Sequence, residues 1–230
     1  MNALLAFDTA TERTSIALAA RGRTWQHEGE GGARASAAFL PALLALLAEA
    51  DVKLAELDAI AFGRGPGAFT GLRVACAVAQ GLAFGAARPV LPIDTLLAIA
   101  EDARAGAQAL RVWAAMDARM NEIYAAEYEF GPSGWQVRSA PMLTTAQVLN
   151  ERWRQSEPQI VAGNALGAFG ARLESGGARC LPDAAPRAIG MLALGRALFA
   201  AGGAVDASLA VPLYLRDKVA LTSAEREDRA

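Results

Sequence analysis

This chain is poor in the residues that build metal centres and basic surfaces. It has one histidine, His27, two cysteines, Cys76 and Cys180, and two lysines, Lys53 and Lys218, in 230 residues. A zinc site made from His and Cys needs three or four ligands, which argues against one here and leaves no metal expected. Two cysteines cannot staple a disulfide scaffold, so two buried thiols in a reducing compartment are expected. An excess of charge of one sign is also missing. The 22 basic and 24 acidic side chains leave a net charge of −2, which argues against a surface that wraps nucleic acid by charge alone. The longest apolar runs, Ala37–Ala48 and Val74–Ala87, fall short of the ~18–20 residues of a membrane span. The N-terminus lacks a basic region and carries Asp8 early, unlike a signal peptide. A soluble cytoplasmic protein with no membrane partner is expected. With 53% hydrophobic and 20% charged residues, the chain can bury a core, and disorder is excluded as its main state. The length suits one large domain or two small ones.

The order of elements points to two similar halves. Leu4-Leu5-Ala6-Phe7 is a short apolar run ending at Asp8. A polar turn follows, then a strand over Thr14–Ala20, a break at Gly22 and a returning strand over Thr24–Glu28. Leucines at 40, 43, 44 and 47 give a helix over Phe39–Ala50, with Pro41 expected in its first turn or at a kink. A strand over Leu57–Phe62 leads through a glycine-rich loop to a helix over Thr70–Gly85. A strand at Val90–Ile93 and a helix at Thr95–Arg104 follow. Arg111–Met116 then repeats the opening by ending at Asp117. Strands over Glu122–Glu129 and Trp135–Arg138 follow, then a Thr-capped helix over Thr144–Arg154 and a strand over Gln159–Ala162. A helix from Gly163-Asn164-Ala165 to about Leu173 and a last one over Ile189–Ala201 complete the half. Each half reads β-β-β-α-β-α, which predicts a duplicated α/β fold with units 1–105 and 106–230.

Candidate chemistry gathers at two places. Asp8 stands at a strand's C-terminal end with Thr9 and Thr11 behind it, where a carboxylate faces a ligand crevice or caps its own turn. That turn has no glycine to let its backbone approach a phosphate. In Gly63-Arg64-Gly65-Pro66-Gly67-Ala68-Phe69-Thr70-Gly71-Leu72-Arg73, glycines surround a proline between a strand and a helix. Thr70 is the expected N-cap, and the helix N-terminus suits an anion or serves packing alone. The spacing is neither a Walker loop nor Gly-x-Gly-x-x-Gly. The following helix is made almost wholly of small residues. Its face Leu72, Cys76, Ala79 and Ala83, with Leu40, Leu43, Leu44 and Leu47 of the helix before it, is an expected partner interface, burial inside the monomer being the alternative. No Gly-x-Ser-x-Gly is present, and His27 has no evident triad partner. Asp117, Arg119 and Glu122 read as a turn and salt-bridge set, Arg216-Asp217-Lys218 as a solvated charge run, and 222–230 as a polar tail.

The glycine-rich string resembles the signature of the TsaB (YeaZ) family of bacterial proteins. Three more strings agree in order: Phe7-Asp8-Thr9-Ala10-Thr11-Glu12, Asp117-Ala118-Arg119-Met120-Asn121-Glu122-Ile123-Tyr124, and Pro212–Ala220 with Tyr214 and Lys218. The resemblance implies the fold shared by actin, sugar kinases and heat-shock ATPases, with two domains around a cleft. It implies a part in making N6-threonylcarbamoyladenosine beside the anticodon of tRNA. The catalytic subunit of that system is TsaD, and TsaE is an ATPase acting on the complex. The resemblance further implies a non-catalytic partner that joins TsaD, or itself as a homodimer, through N-domain helices. It would meet tRNA only within the complex, hold no cofactor of its own, and admit ATP or ADP at the subunit contact. Asp8, Thr9, Thr11, Gly63, Gly65, Gly67 and Thr70 would then be a vestigial nucleotide site. One departure stands out: Ala35-Ser36 occupy the place where many members carry a histidine before Leu40-Pro41. The competing readings are an ATP-using enzyme of the same superfamily and a peptidase.

Overall fold

The computed structural model describes residues 1–31 and 35–216, with no side-chain description at 35 and 36. Asp217, Lys218 and the tail 222–230 lie outside the described residues, as does the side chain of Ser36.

Three strands open the chain: β1 (Ala3–Asp8), β2 (Arg13–Ala20) and β3 (Arg23–Glu30). The β2–β3 hairpin turns on Arg21 and Gly22, both at positive φ, the backbone that matches the strands' right-handed twist. Then come α1 (Ala35–Glu49), β4 (Ala59–Gly65), α2 (Phe69–Ala86), β5 (Val90–Asp94) and α3 (Thr95–Arg104). The second half contains β6 (Leu110–Asp117), β7 (Glu122–Gly131), β8 (Gly134–Thr145), α4 (Ala146–Ser156), β9 (Ile160–Ala162), α5 (Ala165–Phe169), β10 (Arg179–Leu181) and α6 (Ala188–Ala200). The first sheet has the order β3-β2-β1-β4-β5 and the second β8-β7-β6-β9-β10. The duplication is therefore one of topology: in both sheets the leading strand sits in the middle, antiparallel to the second strand and parallel to the fourth.

The repeat is longer than β-β-β-α-β-α, because the strand at Val90–Ile93 and the helices at Thr95–Arg104 and Ile189–Ala201 belong to it as well. Each unit runs βββαβαβα, with a fifth strand and a third helix. The fifth strand of the second unit, Arg179-Cys180-Leu181, is too short to show a period. β8 reaches Thr145, so the cap of α4 is Thr145, which accepts from Val148 N, and Thr144 belongs to the strand. α1 begins at Ala35, which puts Pro41 inside the helix rather than in its first turn. The cap of α2 is Ala68; Thr70 lies exposed in the first turn and caps nothing.

β1 reads as an unbroken apolar run because both its faces are covered. Leu5 and Phe7 join Ile16 and Leu18 beneath Phe39, Leu43 and Leu47 of α1 and Cys76, Ala79 and Ala83 of α2. Leu4, Ala6, Ala17 and Ala19 face Met191, Leu192 and Leu194 of α6. A Cβ on Gly195 would sit 3.1 Å from Leu4 Cδ2, so α6 lies close on the sheet. α3 covers the second sheet, packing Leu96 and Ile99 on Val112, Ala114 and Met116. The last helix of each unit thus closes the other unit's sheet. Among the described residues, α2 is the helix long and apolar enough to cross a membrane by length and composition. Here its Leu72, Ala75, Cys76, Ala79, Leu82, Ala83 and Ala86 are buried. Each buried leucine contributes about 1.5–3 kcal/mol.

Candidate functional site

Asp8 ends β1 at the mouth of the first sheet and is 1% exposed. Its Oδ1 accepts from Ala10 N at 2.7 Å and its Oδ2 from Thr95 Oγ1 at 2.9 Å. Burial pushes its pKa up from 3.8 to about 6, and those two hydrogen bonds oppose the rise. The glycine-rich loop closes over it. A Cβ on Gly63 would overlap Asp8 Oδ2, one on Gly67 would overlap Ala10, and one on Gly71 would overlap Thr9 O. Thr9 Oγ1 donates to Gly71 O at 2.7 Å, and Ala68 N donates to Ala10 O at 2.8 Å. Gly65, at φ +114, has its open side against Leu213 O. The close backbone approach that glycine permits is therefore spent on the chain's own Asp8–Ala10 turn. Of the expected nucleotide set, Asp8, Thr9, Gly63 and Gly67 come together as one sealed cluster, while Gly65 packs instead against Leu213 O and Leu72. Thr11 stands apart, bonded to Arg13, and Thr70 is outside the cluster.

The matching turn after β6 is built differently. Asp117 Oδ1 accepts from Arg119 N at 2.8 Å, as Asp8 does from Ala10, and Asp117 N donates to Asn164 Oδ1 at 2.9 Å. Arg119 pairs with Asp117 at 3.4 Å and reaches across to Glu12 of the first turn. Glu122 pairs with Arg216 at 2.5 Å. The salt-bridge reading of this cluster describes it correctly. Arg216 is no solvated charge: its side chain is largely buried and also donates to Ala118 O. Arg119, Met120 and Asn121 all have positive φ, an unfavourable conformation for residues with a Cβ.

Between the two units a crevice of about 480 Å³ runs from Thr11 and Arg13 to Asn164 and Arg187. A larger cavity of about 920 Å³ lies away from Asp8, with Leu97, Phe130, Trp135 and Leu198 in its walls. Among the described residues no cluster of three or more His, Cys, Asp or Glu could hold a metal. His27 sits exposed on edge strand β3. Cys76 is buried, and burial pushes its thiol up to about 11, so thiolate is scarce at neutral pH. Cys180 is exposed, contrary to the expectation of two buried thiols, because it stands on the outer edge strand β10.

Comparison with known proteins settles the family. Residues 30–157 match the family model described as TsaD, tRNA N6-adenosine threonylcarbamoyltransferase. The chain is 36% identical to the tRNA threonylcarbamoyladenosine biosynthesis protein TsaB of Escherichia coli, over 94% of this chain and 96% of that one. It is 37% identical to the Haemophilus influenzae protein of the same name, over 94% of each. The solved structure of YeaZ from Pseudomonas aeruginosa superposes with a TM-score of 0.84 at 38% identity, covering 94% of this chain and all of that one. The chain belongs to the TsaB family. Its α/β fold of two mixed five-stranded sheets is the actin-like fold that the resemblance implies.

In this TsaB family member, α1 and α2 divide their apolar residues between an inward and an outward face. Leu43, Leu47, Cys76, Ala79 and Ala83, expected at a partner interface, are buried against the chain's own sheet, and Leu72 of the same set is buried beside Gly65. The leucine and small-residue stripes belong to the core, because they are the faces that let the helices lie close on β1 and β4. Only Leu40 and Leu44 of that set are exposed. The outward face is a different one. It carries Leu40, Pro41, Leu44, Ala45 and Ala48 of α1 and Ala77, Gly81, Phe84 and Gly85 of α2, all exposed. Helical spacing from the buried positions gives this face. What the sequence did not offer was which stripe the sheet would take, since both are apolar.

Proposed function

We propose that the chain is a non-catalytic subunit of the assembly that makes N6-threonylcarbamoyladenosine in tRNA, in the cytoplasm. It binds TsaD and, with TsaE, supports transfer of the threonylcarbamoyl group to the adenosine beside the anticodon. The observation that carries this reading is the exposed face of α1 and α2. From Ala37 to Ala48, α1 has no charged residue, and Phe84 of α2 is 62% exposed. An apolar helix face of this extent fits a helix face of another protein. Ala77, Gly81 and Gly85 let a second backbone approach closely. A Cβ placed on Gly81 or Gly85 meets nothing within 4 Å. The same face serves a homodimer when the chain is alone.

The sealed Asp8 cluster supports the absence of a reaction on this chain. In a nucleotide enzyme a carboxylate at this strand end holds the metal and the turn admits phosphate. Here both carboxylate oxygens are bonded inside the fold, and Gly63, Gly67 and Gly71 face the Asp8–Ala10 turn. Any ATP or ADP then belongs at the subunit contact and not at Asp8. tRNA meets this subunit within the complex, as a net charge of −2 suits.

Light-scattering chromatography of the chain alone and mixed with TsaD of the same cell tests the reading. The expected result is a single peak at heterodimer mass that replaces the lone species. Gly81→Arg, which puts a long cation on the outward face, should abolish that peak and leave the fold intact. Unchanged elution of both unsubstituted proteins across salt and nucleotide conditions overturns the reading.

A further inference from the structure

Three of the four strings that carry the family resemblance are far apart in sequence, yet they meet at one place that the α1–α2 face does not include. Phe69 and Leu72 from the glycine-rich string, Met120 and Tyr124 from the β6–β7 string, and Tyr214 and Arg216 from the closing string line a pocket of about 260 Å³. Its rim is apolar and open to solvent: Phe69 is 37%, Tyr214 45% and Met120 60% exposed. The rings of Phe69 and Tyr214 are 5.5 Å apart. The Arg73 guanidinium lies 3.9 Å from the centre of the Phe69 ring, and its Nε donates to Tyr214 Oη at 3.3 Å. Of the three arginines here, Arg119 and Arg216 are paired with carboxylates. Arg73 has no carboxylate partner among the described residues. Its fork is held over an aromatic ring with donors to spare, the form suited to a two-point bond with a carboxylate. The left-handed run Arg119-Met120-Asn121 holds Met120 at the rim at a cost in backbone energy, and such strain collects at working surfaces.

We propose that this pocket is a second docking point for the protein partner. It takes an extended, acidic segment that puts one apolar side chain into the pocket and a carboxylate on Arg73. The volume holds about one large side chain. An exposed Tyr, Phe and Arg are the residue types that carry binding energy between proteins. A nucleic acid strand is disfavoured, because the neighbouring arginines are neutralised and phosphate tracking needs several free cations. The partner can reach it, since Arg73, Ala77, Gly81 and Phe84 form one exposed stripe along α2. The inference rests on the proposed binding of TsaD and adds a contact beyond the α1–α2 face.

Calorimetric titration of TsaD with the full chain tests it, using unsubstituted protein, Arg73→Glu, Arg73→Lys and Tyr214→Ala, each checked for fold by circular dichroism. Arg73→Glu should weaken binding about tenfold or more, Tyr214→Ala should weaken it too, and Arg73→Lys should fall between. Affinity that is unchanged in every variant, while the unsubstituted chain binds, overturns the second docking point and leaves the proposed function standing. No binding by the unsubstituted chain overturns both. Labelled tRNA, or the homodimer, lost on Arg73→Glu with TsaD affinity unchanged would assign the patch to those occupants and overturn the proposal as well.

Discussion

The two aspartate turns of this molecule share a topology and differ in what surrounds them. Asp8 and Asp117 both end the central strand of a five-stranded sheet, and both accept from the backbone N–H two residues on, at 2.7 and 2.8 Å. Around Asp8, an 18-residue helix and its glycine loop close down until the carboxylate is buried. Around Asp117, the corresponding helix α5 has five residues, and the turn pairs with the exposed Arg119 and bonds Asn164. The same local motif becomes a structural cluster in one unit and a charged surface turn in the other. Strand end and aspartate set the motif; the length and closeness of the next helix decide its environment.

The largest expected effect tests how tightly the first unit is closed. Ala79→Arg puts a charge beneath α2 in the core and should cost more than about 4 kcal/mol or prevent folding. Gly81→Arg, two residues on but outward, should leave thermal unfolding nearly unchanged. Equal effects would mean the helix presents another face. Next comes the seal itself: Gly71→Ala sets a methyl against Thr9 O and should cost about 3 kcal/mol in urea unfolding.

The buried carboxylate gives a pH signature of similar size. Between pH 4 and 6 the folded state holds a proton on Asp8 that the unfolded state has released. Stability should therefore fall as pH rises through that window, by about 3 kcal/mol in all, and level off above it. Stability against pH, measured as the difference from Asp8→Asn, should show that fall, whereas Asp117→Asn should retain it. No difference between Asp8→Asn and the unsubstituted protein would mean that Asp8 is solvated. In the second unit, Thr145→Ala should cost about 1 kcal/mol through loss of the α4 cap. The smallest effect belongs to the link between the turns. Glu12→Gln breaks an exposed pair with Arg119, with side chains 82% and 69% exposed, and should change stability by less than about 1 kcal/mol.

Much of this was legible in the chain. The run Leu4–Phe7 before Asp8 and the run Arg111–Met116 before Asp117 announce the two units, because a buried central strand needs apolar residues on both faces. The glycine-rich string marks a close backbone approach. It did not say to what: Gly63, Gly67 and Gly71 face the Asp8 turn, more than fifty residues away in sequence. Likewise, Leu43 and Ala79 advertise a packed helix face, while the choice between sheet and partner is absent from the helix itself.

The sequence by itself determined the alternation of strands and helices, the repeat, the positions of the two aspartates and the scarcity of histidine and cysteine as metal ligands, since these depend on local period and composition. The tertiary structure alone decided that α3 and α6 each close the opposite unit's sheet. It decided too that Asp8 is sealed, that the outward stripe of α1 and α2 is the exposed one, and that Phe69, Met120 and Tyr214 share a rim. Each depends on contacts between segments distant in the chain, whose partners are chosen by how two apolar surfaces fit and not by the residues of either one.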